Sequence, residues 1–62
     1  EPRTFCIRFG PRVADYVRER EWATDQQIEN LADGSITLTL TTCAAPELTA
    51  WVRSFGDDAA FI

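Results

Sequence analysis

The sequence predicts an α+β domain, and three observations carry that prediction. Apolar residues alternate at period two over residues 4–9 and 35–42, as in strands with one buried face. They recur at i, i+3, i+4, i+7 from Val13 and again from Leu48, as in helices with one buried stripe. Gly-Pro, Asp-Gly and Pro signals separate these runs.

Taken in order, Phe5, Ile7 and Phe9 share one face of a first strand over residues 4–9, and Gly10-Pro11 stops it. Pro11 suits the first turn of a helix, because its missing N–H has no partner there anyway. Val13, Tyr16, Val17 and the stem of Arg20 then form the apolar stripe of a helix over about residues 11–20. Residues 21–26 lose the periodicity and read as a connection. Residues 27–31 read as a short second strand, and Asp33-Gly34 is a strong hairpin signal. A third strand over residues 35–42 puts Ile36, Leu38 and Leu40 on one face and Thr37, Thr39 and Thr41 on the other. Pro46 opens a second helix whose stripe is Leu48, Trp51, Val52 and Phe55, and Gly56 stands where a C-terminal cap belongs. Residues 59–62 start a last strand.

The order β-α-β-β-α-β is that of the ferredoxin-like sandwich, a four-stranded antiparallel-type sheet with two helices on one face. In this reading strands 1 and 3 form a parallel centre, and the helices cover the face of Phe5, Ile7, Phe9, Ile36, Leu38 and Leu40. The other face, with Thr4, Cys6, Arg8, Thr37, Thr39 and Thr41, stays open to a partner, a second subunit or solvent. Cys6 and Cys43 both point to it, too far apart along the strands for a disulfide. Trp51 belongs to the core; Trp22, just past helix 1, packs in the core or at its edge.

Sixty-two residues make one domain with a small core. The chain lacks Met and starts Glu1-Pro2, which reads as a piece of a larger protein. Two isolated cysteines suit a reducing cytoplasm, and no apolar run is long enough for a membrane span. The net charge of −4 is uneven: residues 1–20 carry five arginines against three acids, residues 21–62 one arginine against seven. An acidic domain is a poor general phosphate binder, so any nucleic-acid role centres on the arginine-rich first third. Arg12, Asp15, Arg18 and Glu19 stand at ion-pair spacing on helix 1. Arg8 lies alone on the sheet face and is the arginine best placed for an anion.

Enzymatic chemistry is not expected. Histidine is absent, and there is no CxxC pair, P-loop, GxGxxG or GxSxG. The acids stand beside no nucleophile or metal partner, and no cofactor or metal is called for. RNA recognition on this topology stacks bases on aromatics of the open face, whereas Phe5 and Phe9 point inward. A freestanding small-molecule-binding module using the open sheet face stays open as an alternative.

Three runs carry a family resemblance. Val13-Ala14-Asp15-Tyr16-Val17-Arg18-Glu19-Arg20-Glu21-Trp22 resembles the helix 1 signature of the WYL C-terminal extension, or WCX, domain. Asp33-Gly34-Ser35-Ile36-Thr37-Leu38-Thr39-Leu40 resembles its hairpin strand, and Glu47-Leu48 to Trp51-Val52 with Ser54-Phe55-Gly56 and Ala59 its ending. The three cover nearly the whole chain in the right order. Two departures stand beside them. Ala23 occupies a position often held by His in relatives, and relatives usually continue a few residues past Ile62, so the last strand is expected to be short.

The resemblance implies a ferredoxin-like accessory domain, residues 1–62, at the C-terminus of a bacterial, cytoplasmic transcription regulator. The parent also holds a winged helix-turn-helix, which reads the promoter, and a WYL domain. It implies dimer contacts, a WYL domain of the same chain as partner, and a share in effector sensing, in some members of single-stranded DNA. Because the family's basic effector contacts lie mostly in the WYL domain, strong DNA binding is not expected of these residues alone. Arg8, Arg12, Arg18 and Arg20 are the candidates for anionic effector contact, and Thr37, Thr39 and Thr41 for the same or a subunit surface.

Overall fold

A computed structural model describes all residues, 1–62. It contains β1 (Arg3–Phe9), α1 (Pro11–Arg18), β2 (Gln27–Asn30), β3 (Ile36–Thr42), α2 (Ala45–Arg53) and β4 (Ala59–Phe61), with a 3-10 turn over Gly56–Asp58 leading into β4. The four strands form one sheet in the order β2-β3-β1-β4, and every neighbouring pair is antiparallel. The fold is the ferredoxin-like α+β sandwich that the element order predicts.

One expectation about that sheet is wrong. The central strands β1 and β3 run antiparallel, with Arg3 opposite Thr42 and Phe9 opposite Ile36. The helical crossovers join β1 to β2 and β3 to β4. Crossovers require those strands to be parallel, and each such pair has another strand between its members. Parallelism therefore exists only between non-adjacent strands.

Ile7, Phe9, Ile36, Leu38 and Leu40 of the sheet, Ala14 and Val17 of α1, and Leu48 and Val52 of α2 form one buried cluster. Both helices thus cover the same sheet face. Each large side chain fully buried there stabilises the fold by roughly 1.5–3 kcal/mol of removed apolar surface. The phase of α1 differs from the expected stripe. Ala14 is 2% exposed, whereas Tyr16 is 45% exposed and lies over the flank of the helix. An outer layer of aromatics then extends the core. Phe9 meets Trp51 and Phe55 at ring separations of 5.5 and 5.3 Å, and Trp51 meets Trp22 at 4.5 Å. Trp22 and Trp51 are both half-buried, packed against the core rather than inside it.

The hairpin joining β2 to β3 is longer than a two-residue turn. The Gly34 amide donates to the Leu31 carbonyl at 3.2 Å and the Leu31 amide to the Ser35 carbonyl at 2.9 Å. Within this loop only Gly34 has positive φ, at +91°. This is a type I turn closed by a left-handed residue, which the right-handed twist of the strands accepts. A Cβ at Gly34 would also sit 3.4 Å from Cβ of Pro11. Gly56 is left-handed too, at φ +62°, just past α2.

Gly34→Ala is expected to lower stability by about 1–2 kcal/mol, from the left-handed backbone plus the contact with Pro11. Urea unfolding followed by tryptophan fluorescence checks this, and an unchanged midpoint would show that the turn does not hold this conformation.

Candidate functional site

The register fixes what the open sheet face presents. Thr4 stands opposite Thr41, Cys6 opposite Thr39 and Arg8 opposite Thr37. Gln27 and Glu29 of β2 and Ala60 of β4 extend the same rows. The predicted face therefore exists, with all three threonines of β3 on it.

Its polar groups are largely engaged with one another. Thr4 Oγ1 and Thr41 Oγ1 lie 3.1 Å apart, and the Thr39 hydroxyl donates to Cys6 Sγ at 3.5 Å. Arg8 is not alone. Its Nη2 donates to Asp33 Oδ2 at 2.7 Å and to Ser35 Oγ at 3.0 Å, drawing the guanidinium to the hairpin end of the sheet. Asp33 also accepts the Ser35 amide at 2.9 Å, an Asx turn that aims its carboxylate at Arg8. The Ser35 amide, the Ser35 hydroxyl and the charge of Arg8, in that order, hold Asp33 below its ordinary pKa of 3.8. With the Arg8 and Asp33 side chains 49% and 56% exposed, solvent screens the pair and leaves Arg8 reachable from outside.

The other predicted arginines lie elsewhere. Arg12, Arg18 and Arg20 belong to α1 and its C-terminal turn, on the helical side of the sheet. The sheet separates them from the threonine face, so only Arg8 shares a surface with Thr37, Thr39 and Thr41. Arg18 pairs with Asp15 and also donates to Asn30 Oδ1 at 3.1 Å. Arg20 lies over the Tyr16 ring, 4.1 Å from its centroid, and reaches the Tyr16 carbonyl at 3.3 Å. Arg12 is exposed and forms no ion pair. Of the expected helix 1 ion pairs, only Arg18–Asp15 forms.

The two cysteines are free. Cys43 lies just beyond β3, four register positions from the partner of Cys6, roughly 13 Å at strand spacing. No disulfide spans that distance.

A second feature escaped the sequence reading. Gln26 ties down the connection after α1: its Oε1 accepts the amides of Trp22 and Ala23 at 2.5 and 3.2 Å, and its Nε2 donates to the Arg20 carbonyl at 3.1 Å. The Trp22 indole N–H donates to the Val17 carbonyl at 3.0 Å. These bonds fix Trp22 beside Trp51, and the two rings flank a hollow between residues 22–23, the end of β3 and the start of α2. Nothing in the local sequence announces the hollow, because its walls come from three separate segments.

The match to known families then decides the identity: the model of the WCX domain matches residues 1–61. The chain belongs to the WCX domain family. A search of curated proteins finds no match. The WCX domain is associated with WYL-domain proteins, so this one is a WYL-associated regulatory domain. No helix in this WCX domain is long and apolar enough to cross a membrane.

Because the pKa of Asp33 is lowered in the fold, its hydrogen bonds and ion pair stabilise the folded state above pH 3.8. That stabilisation is lost as pH falls through the folded pKa. Thermal melts between pH 5 and pH 2, a range of about 3 units around the carboxylate pKa values, are expected to show a steeper acid decline for wild type than for Asp33→Asn. Parallel curves would show that Asp33 is as free in the fold as in the unfolded chain.

Proposed function

We propose that this WCX domain is the C-terminal accessory domain of a bacterial, cytoplasmic winged helix-turn-helix/WYL transcription regulator. In this reading it positions the WYL domain, takes part in dimer contacts and contributes to sensing an anionic effector, single-stranded nucleic acid being the leading class. It has no catalytic role. The observation that carries the reading is the family match across residues 1–61 of a chain with the complete four-stranded fold.

The surface chemistry supports a division of labour. The threonine face, where the hydroxyls of Thr4, Thr39 and Thr41 already have partners, suits a protein neighbour. Arg12 and Arg20 present guanidinium groups free of carboxylate partners, and Arg20 stacked on Tyr16 offers a cation beside an aromatic ring. Both features fit an anion carrying flat bases. The mechanism is a shift between two domain or dimer arrangements that bind effector unequally.

Light scattering on the isolated domain, with and without a short single-stranded oligonucleotide at low salt, tests the assembly part. A dimer without strong oligonucleotide binding is the expected result, the WYL domain supplying most of the contacts; a salt-sensitive complex with a monomer would show that these arginines suffice for sensing without it. In the full-length regulator, Arg8→Glu, Arg12→Glu and Arg20→Glu are each expected to weaken the effector response by about threefold or more. Asp33→Asn keeps the charge of Arg8 and removes its partner, so it should preserve or strengthen the response. An unchanged response in Arg8→Glu removes Arg8 from the mechanism.

A further inference from the structure

The hollow beside Trp22 has a chemistry of its own. It is an open hollow of about 240 Å³. The indoles of Trp22 and Trp51 stand along it with centroids 4.5 Å apart and planes inclined at 43°. Leu40 and Leu48, both members of the buried core, contribute apolar surface beneath, and Ala23 lines it with a single methyl. Glu47, exposed in the first turn of α2, is the one acidic residue of this otherwise largely apolar lining.

Charge selects among occupants. No cationic side chain lines the hollow, and Glu47 takes part in no ion pair. Its place in the first turn of α2 is favourable for an acid, which explains why the carboxylate is tolerated but leaves it without a counter-charge. Nearby, Asp25 accepts the amide of Thr41, another lining residue, at 3.3 Å and adds negative charge to that side. An anion entering here meets Glu47 within a domain of net charge −4. A cation meets an acidic residue and two indole side chains, a ring type that attracts positive charge through its π-system. The apolar walls demand that the cation also carry a hydrophobic body.

We propose that this hollow binds a small organic cation, an aryl- or alkylammonium. Its apolar body lies against Trp22, Trp51, Leu40 and Leu48, and its ammonium group meets the carboxylate of Glu47. The size fits a ligand of about ten non-hydrogen atoms, for which affinity in the millimolar range is the physical expectation. Of the threonine face the site shares only Thr41, and it uses none of the arginines assigned to effector contact, so its test is separate from that of the proposed function.

Because both tryptophans line the site, their fluorescence reports on it directly. Titration with phenethylammonium is expected to give a saturable change, with phenylethanol and phenylacetate binding more weakly or not at all. Glu47→Gln, a change at an exposed position, should weaken the cation about fivefold. Ala23→Leu should fill the hollow and abolish the response. Both variants are first checked for wild-type thermal melts; if Ala23→Leu melts early, Glu47→Gln alone carries the test. No saturation with the cation, equal binding of the neutral or anionic analogue, or an unaltered titration in Glu47→Gln would overturn the proposal.

Discussion

The antiparallel pairing of β1 with β3 is the constraint on which the rest of the fold depends. Seven residue pairs in unbroken register, from Arg3–Thr42 to Phe9–Ile36, put Phe5, Ile7 and Phe9 on the same face as Ile36, Leu38 and Leu40. Strand side chains alternate, so a slip of one position would turn one of these sets to solvent and bring threonines into the core. The same pairing creates the open face, since every residue sent inward sends its neighbours outward. Core and candidate interface are two results of one register.

Around that sheet the aromatic residues extend the core sideways rather than thicken it. Phe9 is fully buried and touches Trp51 and Phe55; Trp51 passes the contact to Trp22, and Trp22 to Tyr16. The chain of rings joins the end of α1 to α2, two elements that share no sequence neighbourhood. Gln26 closes the backbone of residues 20–26 around Trp22, and the indole bond to the Val17 carbonyl holds the ring to α1. A hydrogen-bonded connection thereby does for the helix layer what strand pairing does for the sheet. The hollow lined by Trp22 and Trp51 is the gap left where the two layers meet.

Much of the fold was legible because its signals are periodic. β1, β3 and α2 declared themselves through alternation and helical spacing, and their ends fell within a residue or two of the expected ones. β2 was weaker, since Ile28 alone in Gln-Ile-Glu-Asn packs on the core. In α1 the burial of Ala14 is hard to see in the sequence because a methyl group contributes little to an apolar pattern, whereas Tyr16 contributes strongly yet lies half outside. Strand direction is not carried by periodicity: the helical crossovers constrain strands two places apart in the sheet and leave the adjacent β1 and β3 antiparallel. At the site, the threonine face followed from parity alone. The partner of Arg8 did not: Asp33 lies 25 positions away, and only the hairpin's closure against the end of β1 brings the two together. Likewise, Trp22, Glu47 and Trp51 looked unrelated until the fold assembled them.

The short β4 has a mechanical consequence. It runs antiparallel to β1, with Phe61 opposite Ile7 and the Ile62 amide donating to the Cys6 carbonyl at 3.0 Å. The first residue of β1 and the last of β4 therefore lie toward the same end of the sheet. Tension applied between these two ends would load the β1–β4 hydrogen bonds singly, in the manner of a zipper, instead of all together in shear. β4 is three residues long, so it would peel away under little force while the longer β1–β3 pairing stayed intact. A pull transmitted along the polypeptide would thus detach one edge strand and bare the flank of β1 before disturbing the core.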